Sequence, residues 1–204
     1  MKKKIYIVRH CEAQGQPPES PLTEMGFTQA KYLSDFLSNI KIDRIISSPF
    51  LRAIQSVEPI SKETNIRIEI DERLSERILS TLDLPDWPEK LKATFDDSEL
   101  KFEGGESSKE AMNRIVNVVD EAFNREVENT IIVTHGNLMS LLLKNYDNSF
   151  DFDCWKNLSN PDVFVLSYVN NKINMEHLWT KKLIKKVVYL EFTYFNYRGN
   201  SCQY

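Results

Sequence analysis

Short apolar runs and longer helical spacings alternate along the chain. Three runs, within Ile5–Glu12, Arg44–Ser47 and Thr130–Thr134, have the length of a strand and contain isoleucine or valine. Continuous apolar runs of this kind are typical of strands buried on both faces of a parallel sheet. Strands that alternate with helices predict βαβ units and a mostly parallel sheet. The helical spacings include Ala30, Leu33 and Leu37, then Leu51, Ile54 and Val57, then Ala111, Ile115 and Val118.

Two further segments are predicted to form strands from a different pattern. Ile66–Ile70 alternates apolar and charged residues, which is typical of a half-buried strand. Val163–Val169 and Lys172–Leu178 also alternate, and they flank Asn170-Asn171. This arrangement predicts a β-hairpin, which would add an antiparallel edge to the sheet.

Cap residues and prolines indicate where several helices begin or end. Thr23 is a candidate N-cap. Ser107 and Glu110 form a Ser-x-x-Glu capping box before the next helical spacing. Ser48-Pro49 and Asn137 are each predicted to begin the helix that follows, and Pro59 is predicted to kink or end its helix.

The segment Ile78–Glu103 interrupts the regular alternation. It has weak periodicity, two prolines and Trp87, and we interpret it as an irregular or partly helical insertion that forms a small cap. The last stretch, Thr180–Tyr204, mixes lysines with aromatic residues and fits no pattern. We therefore treat residues 1–179 as one domain and residues 180–204 as an extension of unknown role.

Composition and charge narrow the class of protein. A chain of 204 residues, 41% hydrophobic and 27% charged, is typical of one globular domain with an inserted cap. A net charge of −4 argues against nucleic acid or an anionic membrane as a partner. Three widely spaced cysteines favour neither a disulfide framework nor a zinc site. We find no signal-peptide core and no apolar stretch long enough to span a membrane, so the expected location is the cytoplasm.

The residues that follow the predicted strands carry the candidate chemistry. The first strand ends in Arg9-His10, and the second is followed by Arg52. The third leads to Glu76, and the run TIIVT is followed by His135. The carboxyl ends of parallel strands lie along one edge of the sheet, where ligands bind. We therefore expect these five side chains to share one pocket.

Such a pocket suits an anion and a histidine nucleophile. Two guanidinium groups match the oxygens of a phosphate, and helix N-termini behind Ser48 and Gly136 could add N–H donors. Nearby arginines disfavour protonation of a histidine, and a neutral histidine nitrogen can attack phosphorus. A carboxylic acid can protonate the leaving alkoxide. Glu72 competes with Glu76 for that role, because it is a near neighbour in the sequence.

Six short motifs in order carry a resemblance to a known family. Together they resemble the histidine phosphatase superfamily, in its phosphoglycerate mutase-like branch, over residues 5 to about 145. Each motif is only a few residues long, but six in the expected order make a specific match. The motifs are RHCE (Arg9–Glu12), SPLTEMG (Ser20–Gly26), SSPFLRA (Ser47–Ala53), LSER (Leu74–Arg77), GGES (Gly104–Ser107) and THG (Thr134–Gly136).

The resemblance implies a three-layer α/β/α fold and phosphoryl transfer that uses no metal or other cofactor. It implies that His10 accepts the phosphoryl group and that Glu76 donates a proton and then acts as base for water. It further implies that the phosphoryl oxygens are bound by Arg9, Arg52 and His135.

From these observations we predict a phosphatase that hydrolyses the monoester of a small phosphorylated metabolite. The cap of about 25 residues is small for the exclusion of water that a mutase requires. A mutase, a protein phosphohistidine phosphatase and a non-catalytic phosphate-binding module remain alternatives, and a homodimer is an open possibility. The binding module is considered because Cys11, Ala13 and Gln16 stand where the family usually has Gly, Thr and Asn.

Overall fold

The structure is a computed structural model that describes residues 3–169 and 172–179. The strands are β1 (Lys4–Arg9), β2 (Arg44–Ser47), β3 (Ile68–Ile70), β4 (Asn129–Thr134), β5 (Asp162–Val169) and β6 (Lys172–His177). The helices are α1 (Glu24–Leu37), α2 (Leu51–Thr64), α3 (Trp87–Asp96), α4 (Ser108–Asn124), α5 (Gly136–Tyr146) and α6 (Phe152–Lys156). A short 3-10 turn covers Glu72–Leu74.

The six strands form one sheet in the order β3-β2-β4-β1-β5-β6. The pairs β1 with β4, β2 with β4 and β2 with β3 are parallel. Strand β5 runs antiparallel to β1, and β6 runs antiparallel to β5. The predictions of a mostly parallel sheet and an antiparallel edge are therefore confirmed. The predicted turn at residues 170–171 lies outside the described residues.

Helices cover both faces of the sheet, and alternate residues of β1 pack against the helices on each face. Ile5 and Ile7 belong to a buried cluster with residues of α4 and α5. Tyr6 and Val8 point to the opposite face and belong to a second buried cluster with residues of α1 and α2. Successive side chains of a strand face opposite ways, so a continuous apolar run supplies both cores. The predicted three-layer α/β/α fold is confirmed.

Two helix starts follow the predicted cap chemistry. The Thr23 hydroxyl accepts the Gly26 N–H at 2.9 Å at the start of α1. At the start of α4, the Ser107 hydroxyl accepts the Glu110 N–H, and the Glu110 carboxylate accepts the Ser107 N–H. Both reciprocal hydrogen bonds of the capping box are therefore present.

Two predictions about helix starts are wrong, and of the two outcomes predicted for Pro59, a kink or an end, the end does not occur. Helix α2 begins at Leu51 with Phe50 as N-cap, because the Ser48 hydroxyl lies 2.7 Å from His135 Nε2. Helix α5 begins at Gly136, and Asn137 lies inside its first turn rather than capping it. Pro59 does not end α2, which continues to Thr64.

The inserted segment contains one helix, α3, which a buried arginine ties to the domain. Arg77 is 7% exposed and donates to Thr94 Oγ1 on α3 at 2.8 Å and to Ser108 Oγ on α4 at 3.0 Å. It also donates to the Glu106 carbonyl. The Arg77 guanidinium group is therefore one of the links between the cap and the domain, together with the bond from the Ser108 hydroxyl to the Thr94 carbonyl. Residues 180–204 lie outside the described part of the chain. Within the described part, no helix has the length and apolar character needed to cross a membrane.

Replacement of Ser107 by alanine tests the capping box. Loss of an N-cap side chain costs about 1 kcal/mol of unfolding free energy, which lowers Tm by roughly 2–4 °C in a chain of this size. Urea denaturation of Ser107→Ala measures the change. Ser98→Ala is the matched control, because Ser98 is exposed and its side chain is not part of a cap. Equal losses in the two variants would contradict the assignment.

Candidate active site

A cavity of about 540 Å³ lies where residues after β1 and β4 meet the cap. Arg9, His10 and Glu76 line it. Arg52 lies against His10, with 3.3 Å between its Nε and His10 Nε2. The ring of His135 also packs against His10, at 5.1 Å between centroids. Arg52 and His135 do not themselves line the cavity, but both contact His10. The five predicted side chains therefore cluster at the expected edge of the sheet, with three of them lining the cavity.

The hydrogen bonds of His10 determine which ring nitrogen carries the lone pair. Nδ1 lies 2.6 Å from the backbone carbonyl oxygen of Cys11. A carbonyl only accepts, so Nδ1 must hold the proton. In the neutral ring the lone pair then lies on Nε2, the nitrogen that accepts from Arg52. Nε2 is therefore the candidate nucleophilic atom.

The environment keeps the His10 ring neutral. Burial is the main reason that its pKa is lowered to about 3; the positive charges of Arg52 and Arg9 act in the same direction, and the bond to the Cys11 carbonyl acts in the opposite one. Nearby arginines were the predicted cause, but burial is the larger one. No proton has to leave this histidine at neutral pH before it can attack.

Arg52 is held against His10 by backbone carbonyl groups. It is 2% exposed, and its Nη1 donates to the backbone carbonyls of Gln16 and Pro17 at 2.9 Å. Its guanidinium lies 4.8 Å from the centre of the Phe50 ring. The loop after β1 is therefore tied to the first turn of α2 through this side chain.

Arg9 is positioned by the chain before β5. Its Nη1 donates to the Leu158 carbonyl at 2.9 Å, while its buried Nε has no protein partner. The guanidinium also packs directly on Gly136, where an added Cβ would lie 3.1 Å from Arg9 Cζ. A residue with a side chain at position 136 would push against Arg9, which explains the need for glycine there.

His135 is a buried neutral histidine. Burial lowers its pKa well below the ordinary value, and the charges of neighbouring groups act in the same direction. The Ser48 hydroxyl, which lies at 2.7 Å from Nε2, also accepts from the Phe50 N–H at 3.3 Å. When that hydroxyl donates to Nε2, the ring proton lies on Nδ1, which has no protein partner.

Glu76 is fixed at the N-terminus of α5. Its carboxylate accepts the backbone N–H groups of Arg77 at 2.9 Å, Leu138 at 3.0 Å and Asn137 at 3.1 Å. A negative side chain is stabilised at this end of a helix. The competing residue, Glu72, lines a separate hollow and does not line the cavity. The structure therefore places Glu76, rather than Glu72, near His10.

The helix N-termini do not serve the site as expected. The first N–H groups of α5 that were expected to bind an anion donate to Glu76. At the start of α2, the Phe50 N–H donates to Ser48, and the Leu51 N–H donates to the Pro18 carbonyl at 2.8 Å. These donors are therefore already used within the protein.

Unpaired polar atoms concentrate around His10. Among the described residues, five buried side-chain N or O atoms have no hydrogen-bond partner. One is on Tyr146, and the other four belong to Arg9, His135 and Asn137. Buried polar atoms without a partner are rare in native proteins and indicate a place where a ligand supplies one. This cluster marks the cavity as a binding site for a polar group.

Cys11 fits where the family usually has glycine. Its side chain is fully buried in the cluster with Tyr6 and Val8, and its backbone does not have a positive φ. Burial raises the pKa of the thiol to about 12. This cysteine therefore packs as a small apolar residue and remains protonated.

Two groups that support the site were missed by sequence reasoning. The Asn160 side chain donates to the His10 carbonyl at 2.7 Å. Asp162, buried at the start of β5, accepts the Ser159 N–H at 3.0 Å and lies 2.6 Å from His177 Nε2. These residues are about 150 positions from His10 in the sequence, and no local pattern links them to it. Across residues 3–169 and 172–179, no group of three or more His, Cys, Asp or Glu side chains could hold a metal ion.

Comparison with known proteins gives the family. Residues 5–180 match the family model of the histidine phosphatase superfamily, branch 1. The chain belongs to this superfamily. Its relatives include phosphoserine phosphatase 1 of Hydrogenobacter thermophilus, which is 28% identical over 145 residues, 64% of this chain and 69% of that protein. A probable phosphoglycerate mutase of Proteus mirabilis is 30% identical over 159 residues, 69% of this chain and 73% of that protein.

A solved structure agrees with the fold. The mycobacterial glucosyl-3-phosphoglycerate phosphatase aligns with a TM-score of 0.69 at 22% identity. The alignment covers 87% of this chain and 97% of that protein. The chain therefore shares the fold of that phosphatase.

The low pKa of His10 predicts a pH-dependent stability. Between the ordinary pKa near 6.5 and the folded value of about 3, the unfolded chain binds a proton that the folded chain does not. Stability from this group is therefore lost as the pH falls through that window. Between pH 6 and pH 4, the unfolding free energy of the wild type should fall by about 1.4 kcal/mol more per pH unit than that of His10→Gln. Urea denaturation at each pH measures both slopes, and equal slopes would contradict the buried neutral ring.

Proposed function

We propose that the protein hydrolyses phosphate monoesters through a phosphohistidine on His10. The observation that supports this most is the neutral His10 ring, which lines a cavity with Arg9 and Glu76 and carries its lone pair on Nε2, where it accepts from Arg52. A neutral imidazole nitrogen is a competent nucleophile, and cationic donors stabilise the negative charge of the transferring phosphoryl group.

In the first step, the Arg52 Nε–H turns from His10 Nε2 to a phosphoryl oxygen, and the freed Nε2 lone pair attacks phosphorus while the ester P–O bond breaks. The Glu76 carboxyl group gives its proton to the departing alkoxide, which leaves as the alcohol. Arg52 and the unpaired N–H groups of Arg9 and His135 donate to the phosphoryl oxygens. The products of this step are the alcohol and the phosphoenzyme.

In the second step, the Glu76 carboxylate takes a proton from water as that water attacks phosphorus. The P–N bond breaks, inorganic phosphate leaves, and His10 returns to its neutral form with the proton still on Nδ1. The Cys11 carbonyl keeps that proton in place throughout, so the ring does not change tautomer between the steps.

Hydrolysis is favoured over phosphoryl transfer to a second substrate because the cap is small. It has a single helix, α3, and the Trp87 side chain at its start remains 49% exposed while it lines the cavity. A mutase must protect its phosphoenzyme from water. An open wall of this kind leaves water access to the phosphohistidine.

The size of the cavity and the free cysteines support a small substrate and a cytoplasmic location. A cavity of about 540 Å³ suits the monoester of a small metabolite. Cys11 and Cys154 are free thiols, which fits the reducing cytoplasm that the sequence favours.

Replacement of His10 by alanine should abolish turnover. Phosphate release from p-nitrophenyl phosphate should persist in the wild type with excess chelator and fall by about ten-thousand-fold or more in His10→Ala, since a covalent nucleophile is lost. Circular dichroism verifies that the variant folds. Comparable turnover by folded His10→Ala would contradict the phosphohistidine route.

The role of Glu76 predicts a dependence on the leaving group. In Glu76→Gln, kcat/KM for an alkyl phosphate should fall by about a thousand-fold, because an alkoxide needs the proton. For p-nitrophenyl phosphate the loss should be at most about tenfold, since that leaving group needs little protonation. Glu72→Gln is the matched control and should change neither value by more than about twofold. Equal losses for the two esters in Glu76→Gln would argue that Glu76 is not the proton donor.

A further inference from the structure

Two tryptophans form one wall of the cavity. Trp87 at the start of α3 and Trp155 on α6 both line it, with ring centroids 6.4 Å apart and planes nearly perpendicular. Trp87 is half-exposed, although it is among the largest apolar side chains of the protein. Leu79 and Leu91 continue the same apolar wall. A concave surface with exposed aromatic rings beside a few polar groups is typical of a ligand site.

Other aromatic side chains pack against this wall and connect its two helices. The ring of Phe152 lies 5.2 Å from that of Trp155, and the ring of Phe95 lies 5.9 Å from that of Phe152. These contacts join α3 to α6, and the Arg77 hydrogen bonds join α3 to α4. The two indoles are therefore held in place before a substrate arrives.

The charges on the cavity wall disfavour a second negative group on the substrate. Arg9 and Arg77 are the arginines among the lining residues of the described chain, and that lining includes no lysine. Arg77 already donates to Thr94, Ser108 and the Glu106 carbonyl, and Arg9 is assigned to the phosphoryl group. The acidic side chain of Glu12 lines the same cavity and repels a further anion.

We propose that the alcohol part of the substrate is an uncharged ring, a sugar or an aromatic group, that packs on Trp87 and Trp155. This inference rests on the proposed function and specifies its substrate class. Indoles pack well against the flat faces of sugar and aromatic rings. The unpaired Asn137 amide in the cavity wall offers an uncharged donor and acceptor, which suits hydroxyl groups and cannot neutralise a carboxylate.

The test compares primary alkyl phosphates that differ only in the alcohol part. The panel is glucose 6-phosphate and 2-phenylethyl phosphate, which carry a ring, glycerol 1-phosphate, which is acyclic and neutral, and phosphoserine and 3-phosphoglycerate, which carry a carboxylate. The expected kcat/KM is about tenfold higher for the better ring-bearing ester than for glycerol 1-phosphate. For phosphoserine and 3-phosphoglycerate, the expected kcat/KM is about tenfold lower than for glycerol 1-phosphate.

Variants at Trp87 test the aromatic wall itself. Trp87→Ala should lower kcat/KM for the preferred ring-bearing ester about tenfold and that for glycerol 1-phosphate less than twofold. Trp87→Phe should restore most of the loss. Phe27→Ala is the matched control, because Phe27 is 45% exposed and lies on α1, in a different surface hollow.

The outcomes separate this inference from the function on which it rests. If turnover depends on His10 but Trp87→Ala leaves the preference for rings unchanged, this inference is wrong and the proposed function stands. Hydrolysis of phosphoserine or 3-phosphoglycerate as efficient as that of the ring-bearing esters overturns it in the same way. If no ester in the panel is hydrolysed and His10 is not phosphorylated, both are overturned.

Discussion

The hydrogen bond from His10 Nδ1–H to the Cys11 carbonyl is the constraint on which the site depends. It fixes the tautomer and directs the lone pair of Nε2 toward Arg52. The backbone of His10 is held as well, because its N–H donates to the Thr134 carbonyl and its carbonyl accepts from Asn160. A residue held by three hydrogen bonds loses little further freedom on reaction, so this positioning would lower the barrier of the proposed attack by His10.

The parallel sheet makes this arrangement possible. Strands β1 and β4 are neighbours and end together, so the residues that follow them meet although they are more than 120 positions apart in the chain. The same edge collects two arginines and two histidines, of which Arg52 and His135 are buried and Arg9 and His10 are partly buried. Such a set of groups is costly unless each has a partner. The protein satisfies part of that need with backbone carbonyls and leaves Arg9 Nε and His135 Nδ1 without a protein partner.

The sheet and the helix caps could be predicted from the sequence because each depends on residues that are neighbours in the chain. The apolar run Ile5–Val8 supplies two cores at once, and the caps at Thr23 and Ser107 are read from a few neighbouring residues. Ser48 and Asn137 failed as predicted caps because each lies beside the site. The Ser48 hydroxyl bonds His135, and Glu76 accepts the first N–H groups of α5.

What the sequence could not predict depends on contacts between distant segments. Asn160 and Asp162 support the site from the chain before β5, and the pairing of Trp87 with Trp155 needs α3 and α6 to meet. Neither contact has a periodicity or a spacing that reveals it. The burial that lowers the pKa of His10 is likewise a property of the packed domain. The sequence therefore predicted the direction of this pKa shift from the nearby arginines, which are a smaller cause than burial.

The most direct test of the account is rapid-quench trapping of the phosphoenzyme with a ³²P-labelled monoester. The account predicts a label that is stable to alkali and labile to acid, is located on His10 by peptide mass spectrometry, and forms and decays fast enough to carry turnover. A label on another residue would contradict the central claim. So would steady turnover with no phosphoenzyme and with inversion of configuration at phosphorus, since a double displacement gives retention.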